Sequence, residues 1–364
     1  MKKKIHLLTI HPTHYHDFFF RALNENPDID LKVHFLQGLL GNYPWQTEMR
    51  QGYNSRICKK TFGLDFELIK SIWKDKNALF FIAGWENSVK ISTILLCTLL
   101  NRRFVVVTDT PNLEKKRNSI KANLRQLWIS FIAKKCFRFV STGKPGLEGL
   151  IQMGVEKSKV DSLPFFVDLD YFKPLPEFFK NDKITIFSSG RLVNSHKGFD
   201  QAIKVLEKVK RTNPNTDFIY QIAGQGEDKE ILEHLIVEKK LEQEVQLLGW
   251  KEPHEILELY QSCDIFLHPS HFDPFPNAVL EAMACGAFTI ASTSAGSAKD
   301  RISNNENGLL FAAADLETFY THLNWAFQAK NKEKIVEMRK VARKTAEKYP
   351  VEEGVLLLKK YTIS

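Results

Sequence analysis

The chain has 364 residues, enough for two domains of ordinary size, each with its own core. A composition that is 43% hydrophobic and 26% charged is that of a soluble globular protein and excludes a disordered one. The net charge of +8 sits in the first half: residues 1–170 carry 26 Lys and Arg against 16 Asp and Glu, and the remainder 25 against 27.

A basic first half beside a near-neutral second half points to an anionic partner for the first half alone, either a membrane surface or a phosphorylated acceptor. A solvated basic surface has the same composition. The N-terminus, MKKKIHLLTI, has the charged start of a signal peptide. His11, His14, His16 and Asp17 follow with no small-residue cleavage site, so the stretch reads as a strand. No run of about 18 apolar residues occurs, so no transmembrane helix is expected. Cys58, Cys97, Cys136, Cys263 and Cys285 are odd in number and never spaced as CxxC. That pattern suits a reducing cytosol and speaks against a zinc site or a disulfide framework.

Short apolar runs alternate with amphipathic stretches along the whole chain. In the first half they are KIHLLTI (Lys4–Ile10), LKVHFLQ (Leu31–Gln37), ALFFIAG (Ala78–Gly84), FVVVTDT (Phe104–Thr110) and FRFVSTG (Phe137–Gly143). In the second half they are TIFSSGRL (Thr185–Leu192), DFIYQIAG (Asp217–Gly224), VQLLGW (Val245–Trp250), IFLHPS (Ile265–Ser270) and AFTIAS (Ala287–Ser292). Continuous apolar strands flanked by helices are what a parallel sheet buried on both faces requires. Two such series predict an α/β chain with two Rossmann-like, doubly wound domains and a cleft between them. The predicted boundaries are an N-terminal domain at 1–167, a linker at 168–183 with two prolines, a second domain at 184–345 and a terminal segment at 346–364.

The basic stretch Lys115–Cys136 sets Leu124, Leu127, Trp128, Phe131 and Ile132 along one side. The pattern describes a packed helix with solvated lysines better than a helix lying on an anionic membrane.

Open parallel sheets bind ligands beyond the carboxyl ends of their strands, so the residues after each run are the candidates. In GRLVNSHKG (Gly190–Gly198), an Arg fork and a Lys point charge, Arg191 and Lys197, can neutralise a diphosphate without metal. Alone, the pair is better described as two solvated loop cations. In IAGQGEDKEIL, Gly224 lets the backbone approach a ligand, but no third glycine follows, so a dinucleotide fingerprint is absent. In FDPFPNAVLEAMACG (Phe272–Gly286), a helix opening near Asn277 turns its first amides toward a ligand. Asp273 and Glu281 then reach sugar and ribose hydroxyls, or simply cap the helix.

Taken together, Arg191 with Lys197 and Glu281 within LEAMACG resemble the retaining GT-B glycosyltransferases of family 4, the glycosyl transferases group 1. NENGLLF (Asn305–Phe311) and GWKEPHEILELYQSCDIFLHPS (Gly249–Ser270) also follow that family's pattern. The likeness is dense over residues 185–312; in the first half AGWENS, VTDTP and GLEGLIQMGVEKSKV follow it more loosely. Three departures stand out. Asp273 replaces the family's first Glu, the loop reads PFPN (Pro274–Asn277), and HPTHYHDFF replaces a glycine-rich turn.

The resemblance implies a nucleotide-sugar donor, with a UDP-sugar favoured, and retention of anomeric configuration. Arg191 and Lys197 would hold the donor diphosphate. Glu281 would hold the ribose, and Asp273 with the backbone of Phe275, Pro276, Asn277 and Ala278 the transferred sugar. Trp250 and Lys251 would flank the base. No metal or other cofactor is implied, since the two cations act on the leaving group. His11, His14 and His16, with His14 and His16 able to move a proton, stand on the acceptor side with Glu86, Asn87 and Asp109. The segment Tyr349–Tyr361 would form a helix returning to the first domain.

The expected activity is transfer of a hexose to a glycan or lipid-linked saccharide in cell-surface polysaccharide synthesis, in the cytoplasm or at the inner face of the membrane. A GT-B nucleotide-sugar epimerase and a non-catalytic sugar-nucleotide or glycan-binding partner are the alternatives. Nucleic acid is not an expected partner, because no aromatic–basic module is present.

Overall fold

Each half of the chain builds a parallel sheet between two helix layers. The computed structural model describes residues 2–37, 52–111, 118–175 and 183–363, with the backbone only of His14, Tyr15, Ser119 and Ile363. It divides into two compact units, Met1–Phe166 with Val351–Ser364, and Val167–Pro350. The described part of the segment expected as a linker, residues 168–175 and 183, falls in the second unit. Residues 176–182 of that segment lie outside the described residues.

In the first unit the chain runs β1 (Lys3–Thr9), α1 (His14–Glu25), β2 (Ile29–Phe35), β3 (Asn54–Ile57), α2 (Phe66–Lys74), β4 (Leu79–Ala83) and α3 (Ser88–Leu99). It continues through β5 (Phe104–Thr108), α4 (Ser119–Lys135), β6 (Arg138–Ser141), α5 (Gly143–Gln152) and β7 (Val160–Ser162). The sheet order is β3-β2-β1-β4-β5-β6-β7 with every pairing parallel, so the winding reverses between β1 and β4. The short edge strands β3 and β7 carry no continuous apolar run, which is why the sequence did not announce them.

The second unit contains β8 (Ile184–Ser189), α6 (Asn194–Lys197), α7 (Phe199–Thr212), β9 (Phe218–Ala223), α8 (Lys229–Glu238), β10 (Val245–Gly249) and α9 (Pro253–Ser262). It continues with β11 (Ile265–His268), α10 (Asn277–Ala284), β12 (Phe288–Ser292), α11 (Gly296–Arg301), β13 (Leu309–Phe311), α12 (Leu316–Ala326) and α13 (Lys332–Ala346). The order β10-β9-β8-β11-β12-β13 is again all parallel, and its reversal falls between β8 and β11. The terminal helix α14 (Val351–Ile363) belongs to the first unit, where Val355, Leu358 and Tyr361 pack with Phe20 and Leu23 of α1.

One face of the first sheet is covered by α1 and α14, the other by α2 to α5. On that second face α4 differs from the sequence-based expectation. Ile129 and Ile132 are fully buried, whereas Leu124 and Leu127 are 62% and 68% exposed, and Ile120 beside them 67%. Trp128 and Phe131 stack at the border, with ring centroids 5.3 Å apart. The apolar residues of α4 therefore occupy two faces, because the helix needs only one to cover the sheet.

Across β1, β2 and β3 the same face holds a polar chain. Arg56 Nε donates to His34 Nδ1 at 2.9 Å, His34 Nε2 and His6 Nδ1 are 2.9 Å apart, and His6 Nε2 meets Asp75 Oδ2 at 2.9 Å. A guanidinium can only donate, so His34 carries its proton on Nε2 and passes the direction on to His6 and Asp75. Burial, with His6 and Arg56 nearby, pushes His34 down to about 2.

Candidate active site

In the second unit the predicted donor residues gather at the carboxyl ends of the strands around the reversal point. The tight turn after β8 begins at Gly190, and the turn after β9 at Gly224 lies directly against it. A Cβ on Gly224 would stand 1.8 Å from the Gly190 carbonyl oxygen, so this position admits no side chain. The single-turn helix α6 ends at Lys197, with Gly198 in the left-handed region at φ 65°. Arg191, by contrast, points outward: its side chain is 61% exposed and 3.8 Å from Glu227.

Lys197 meets a carboxylate from far along the chain. Its Nζ donates to Asp273 Oδ2 at 2.5 Å, which joins the turn after β8 to the loop after β11. His268, the last residue of β11, brings Nε2 to 3.3 Å from the same oxygen and to 3.0 Å from Ser270 Oγ. Burial alone would raise the Asp273 carboxyl, but His268 and Lys197 outweigh it and hold it at about 2. Asp273 is therefore ionised at neutral pH. The pair leaves two N–H donors of Lys197 for an incoming anion. The backbone of Asp273 is pinned by Ser294 and Gly296.

The PFPN loop leads straight into α10, with Pro276 as its N-cap and Ser297 Oγ donating to the Pro276 carbonyl at 2.6 Å. Phe275 is buried beneath the Arg301 guanidinium, 4.8 Å from its ring centroid, so its backbone and not its ring is what this loop offers a ligand. The first amides of α10 lack intrahelical partners. The side-chain oxygen of Asn277 is buried without a hydrogen bond. Ala278 follows in the first turn.

Glu281 accepts from Tyr260 Oη at 2.9 Å, and that hydroxyl lies 3.0 Å from Ser189 Oγ at the end of β8. Burial pushes the Glu281 carboxyl up to about 7, against the pull of Tyr260. It is thus poised between its two forms at neutral pH. Trp250 Nε1 donates to Glu252 at 3.3 Å, and Lys251 to Glu255 at 2.8 Å, where β10 enters α9. Three participants escaped the sequence reading: His268, Tyr260 and Ser189. His268 was visible only as the polar residue in an otherwise apolar strand. Nothing in sequence ties Tyr260 to Glu281.

In the first unit, His11, His16, Glu86 and Asp109 line one cavity of about 490 Å3 at the carboxyl ends of β1, β4 and β5. Burial lowers His11, and burial with His11 nearby takes His16 to about 4, so both imidazoles are neutral at pH 7. His16 stacks on Phe20 at 5.6 Å. The Glu86 carboxylate accepts from buried Lys90 at 3.1 Å and from the Trp85 amide at 3.1 Å. Asn87 does not line the cavity; it caps α3, accepting from the Lys90 amide at 3.0 Å. His14 opens α1, and its side chain lies outside the described residues. Among the described residues no cluster of His, Cys, Asp and Glu is placed to hold a metal ion.

The two wound sheets are the GT-B fold. A crystal structure of Anabaena Alr3699/HepE in complex with UDP superposes with a TM-score of 0.81 over 99% of each chain, at 16% identity. Residues 174–349, nearly the whole second unit, match the model of the glycosyl transferases group 1 family. Among curated proteins, a Campylobacter jejuni N-acetylgalactosamine-N,N'-diacetylbacillosaminyl-diphospho-undecaprenol 4-alpha-N-acetylgalactosaminyltransferase is 28% identical over 58% of this chain and 56% of its own length. The putative colanic acid biosynthesis glycosyltransferase WcaL of Escherichia coli is 26% identical over 71% of this chain and 60% of its own. The chain thus spans little more than half the length of these relatives.

Proposed function

We propose that this protein is a glycosyltransferase that moves a sugar from a nucleotide-sugar donor to a saccharide or lipid-linked saccharide, in polysaccharide or glycolipid synthesis. The observation that carries this reading is the meeting of Lys197 and Asp273, 76 residues apart in sequence, on either side of the reversal point of the second sheet. An ammonium held in place by a buried carboxylate, beside the free amides of α10, is an anion site at the place where such sheets bind ligands.

In this reading Lys197 and Arg191 take the diphosphate and stabilise the leaving nucleotide, so that no metal is required. Glu281, held by Tyr260, accepts from ribose hydroxyls. Asp273 and the amides of the PFPN loop face the transferred sugar. UDP is the favoured nucleotide, in line with the complex of the structural relative, and retention of configuration follows from the family resemblance. The neutral imidazoles of His11 and His16 are able to accept a hydrogen bond from the acceptor hydroxyl.

A thermal-shift screen over UDP-, GDP-, ADP- and TDP-sugars tests the donor assignment. A donor at 100 times its dissociation constant adds about 2.7 kcal/mol of stability. No shift with any of the four, or an undiminished shift in Lys197→Ala, would refute it. Anomeric NMR of the product decides retention, and turnover in excess EDTA decides the metal question.

The outward apolar face of α4 supports contact with an anionic membrane. Ile120, Leu124 and Leu127 are exposed on a helix that carries Lys121, Arg125, Lys134 and Lys135 and no acidic residue. No helix of the described residues is long and apolar enough to cross a membrane. Flotation with vesicles containing phosphatidylglycerol, but not with pure phosphatidylcholine, is expected. Leu124→Ser with Leu127→Ser should abolish it.

A further inference from the structure

The cavity of the first unit has a polar mouth and an apolar floor. At the mouth stand His11, Glu86 and Asp109. Behind them the wall is made by Leu7 of β1, Phe20 of α1, Phe81 of β4, Val107 of β5, Phe166, and Leu358 of α14. These belong to or pack on the core between the sheet and the α1–α14 layer: Leu7, Phe20, Phe81 and Leu358 are 9%, 3%, 2% and 1% exposed. The cavity therefore opens into the unit's hydrophobic core.

A saccharide carries a hydroxyl on most of its carbons, and each one buried without a partner costs free energy. Such a floor offers almost none of the required partners. Of the buried polar residues in the lining, Lys90 is held by Glu86, Thr142 lies 3.5 Å from the Thr110 hydroxyl, and Thr9 is 5% exposed; Thr13, at 6% exposure, has a hydroxyl making no hydrogen bond. A hydrocarbon needs no hydrogen-bond partners of its own, and a preformed volume of about 490 Å3 lies within the range of small-molecule sites.

We propose that this cavity encloses the hydrocarbon next to the reacting saccharide of an amphiphilic acceptor, with the saccharide at the histidine-lined mouth. The proposal rests on the acceptor reading of the same site and commits it to an acceptor with an apolar, chain-like aglycone. Hydrocarbon of the isoprenoid or fatty type fits the chemistry; the free glycan does not.

The test is calorimetric titration of the full chain with three neutral prenols of increasing length: isoprenol, geraniol and farnesol. Each methylene buried should tighten binding about fourfold, with the gain levelling off once the cavity is full. Leu163→Trp, at a half-buried lining position, narrows the cavity and should flatten that dependence, while Leu356→Ala on the exposed side of α14 should not. Affinity independent of chain length overturns the proposal. So does a steep dependence unchanged by Leu163→Trp, because the chain would then bind elsewhere, as on the outer face of α4. The wild-type series needs no variant to fold. Transfer to a water-soluble saccharide is assayed in parallel: if it persists while prenol binding is flat, the acceptor site stands and only its apolar occupant is lost.

Discussion

Replacing Glu281 by Gln should stabilise the protein at alkaline pH while weakening its hold on the donor. In the native state burial holds the Glu281 carboxyl near 7 against an ordinary 4.5. The folded protein thus binds this proton more tightly than the unfolded chain does. The stabilisation is fully present below pH 4.5 and is lost as pH rises through 7. At 1.36 kcal/mol per unit, a shift of this size amounts to about 3 kcal/mol. Gln has the same shape and keeps an oxygen to accept from Tyr260, but it carries no charge to desolvate. Relative to wild type, Glu281→Gln should therefore gain up to about 3 kcal/mol between pH 4.5 and pH 8, roughly 2–4 °C in Tm per kcal/mol for a unit of this size. The assay is urea or thermal unfolding of both proteins from pH 4.5 to 8.5, followed by donor titration at pH 8. A stability difference that does not change with pH would refute the account of Glu281 as a buried carboxyl. Unchanged donor affinity would remove it from the ribose site.

Lys197→Ala leaves the Asp273 carboxylate buried with only His268 beside it and should cost about 3–5 kcal/mol. The double variant with Asp273→Ala should recover part of that loss, and additive single effects in urea unfolding would mean that the pair is uncoupled. Tyr260→Phe deletes the hydrogen bond that lowers the Glu281 carboxyl, so the pH midpoint of donor binding should move up; a purely structural role would leave that midpoint in place. Gly224→Ala drives a methyl into the Gly190 carbonyl and should prevent folding of the second unit, as judged by loss of its cooperative transition. Burial depresses His34 to about 2, so its neutral form stabilises the fold above pH 6.5, and at pH 5 it costs about 2 kcal/mol relative to neutral pH. The slope of unfolding free energy between pH 7 and 5 should be shallower in His34→Gln.

Much of this architecture is legible in the chain because parallel strands must be apolar on both faces. Ten apolar runs, from KIHLLTI to AFTIAS, each became a strand. The strands that were missed, β3, β7 and β13, are edges with three or four residues, where one side meets solvent and the pattern fades. The same logic drew out the residues of the proposed donor site: Arg191, Lys197, Asp273 and Glu281 all follow such runs. Asn87 was equally visible but serves the backbone of α3, since an Asn before a helix satisfies an amide as readily as a ligand.

By itself, then, the sequence determined the two wound sheets and the turns from which a ligand would be held, because periodicity and turn chemistry are local. Tertiary structure alone decided which charges neutralise each other. Lys197 is closed by Asp273, Glu281 is poised near 7 beside Tyr260, and Arg191 stands in solvent. It also decided that α4 turns one apolar face outward. Those outcomes depend on burial and on partners tens of residues away, and no spacing along the chain encodes either.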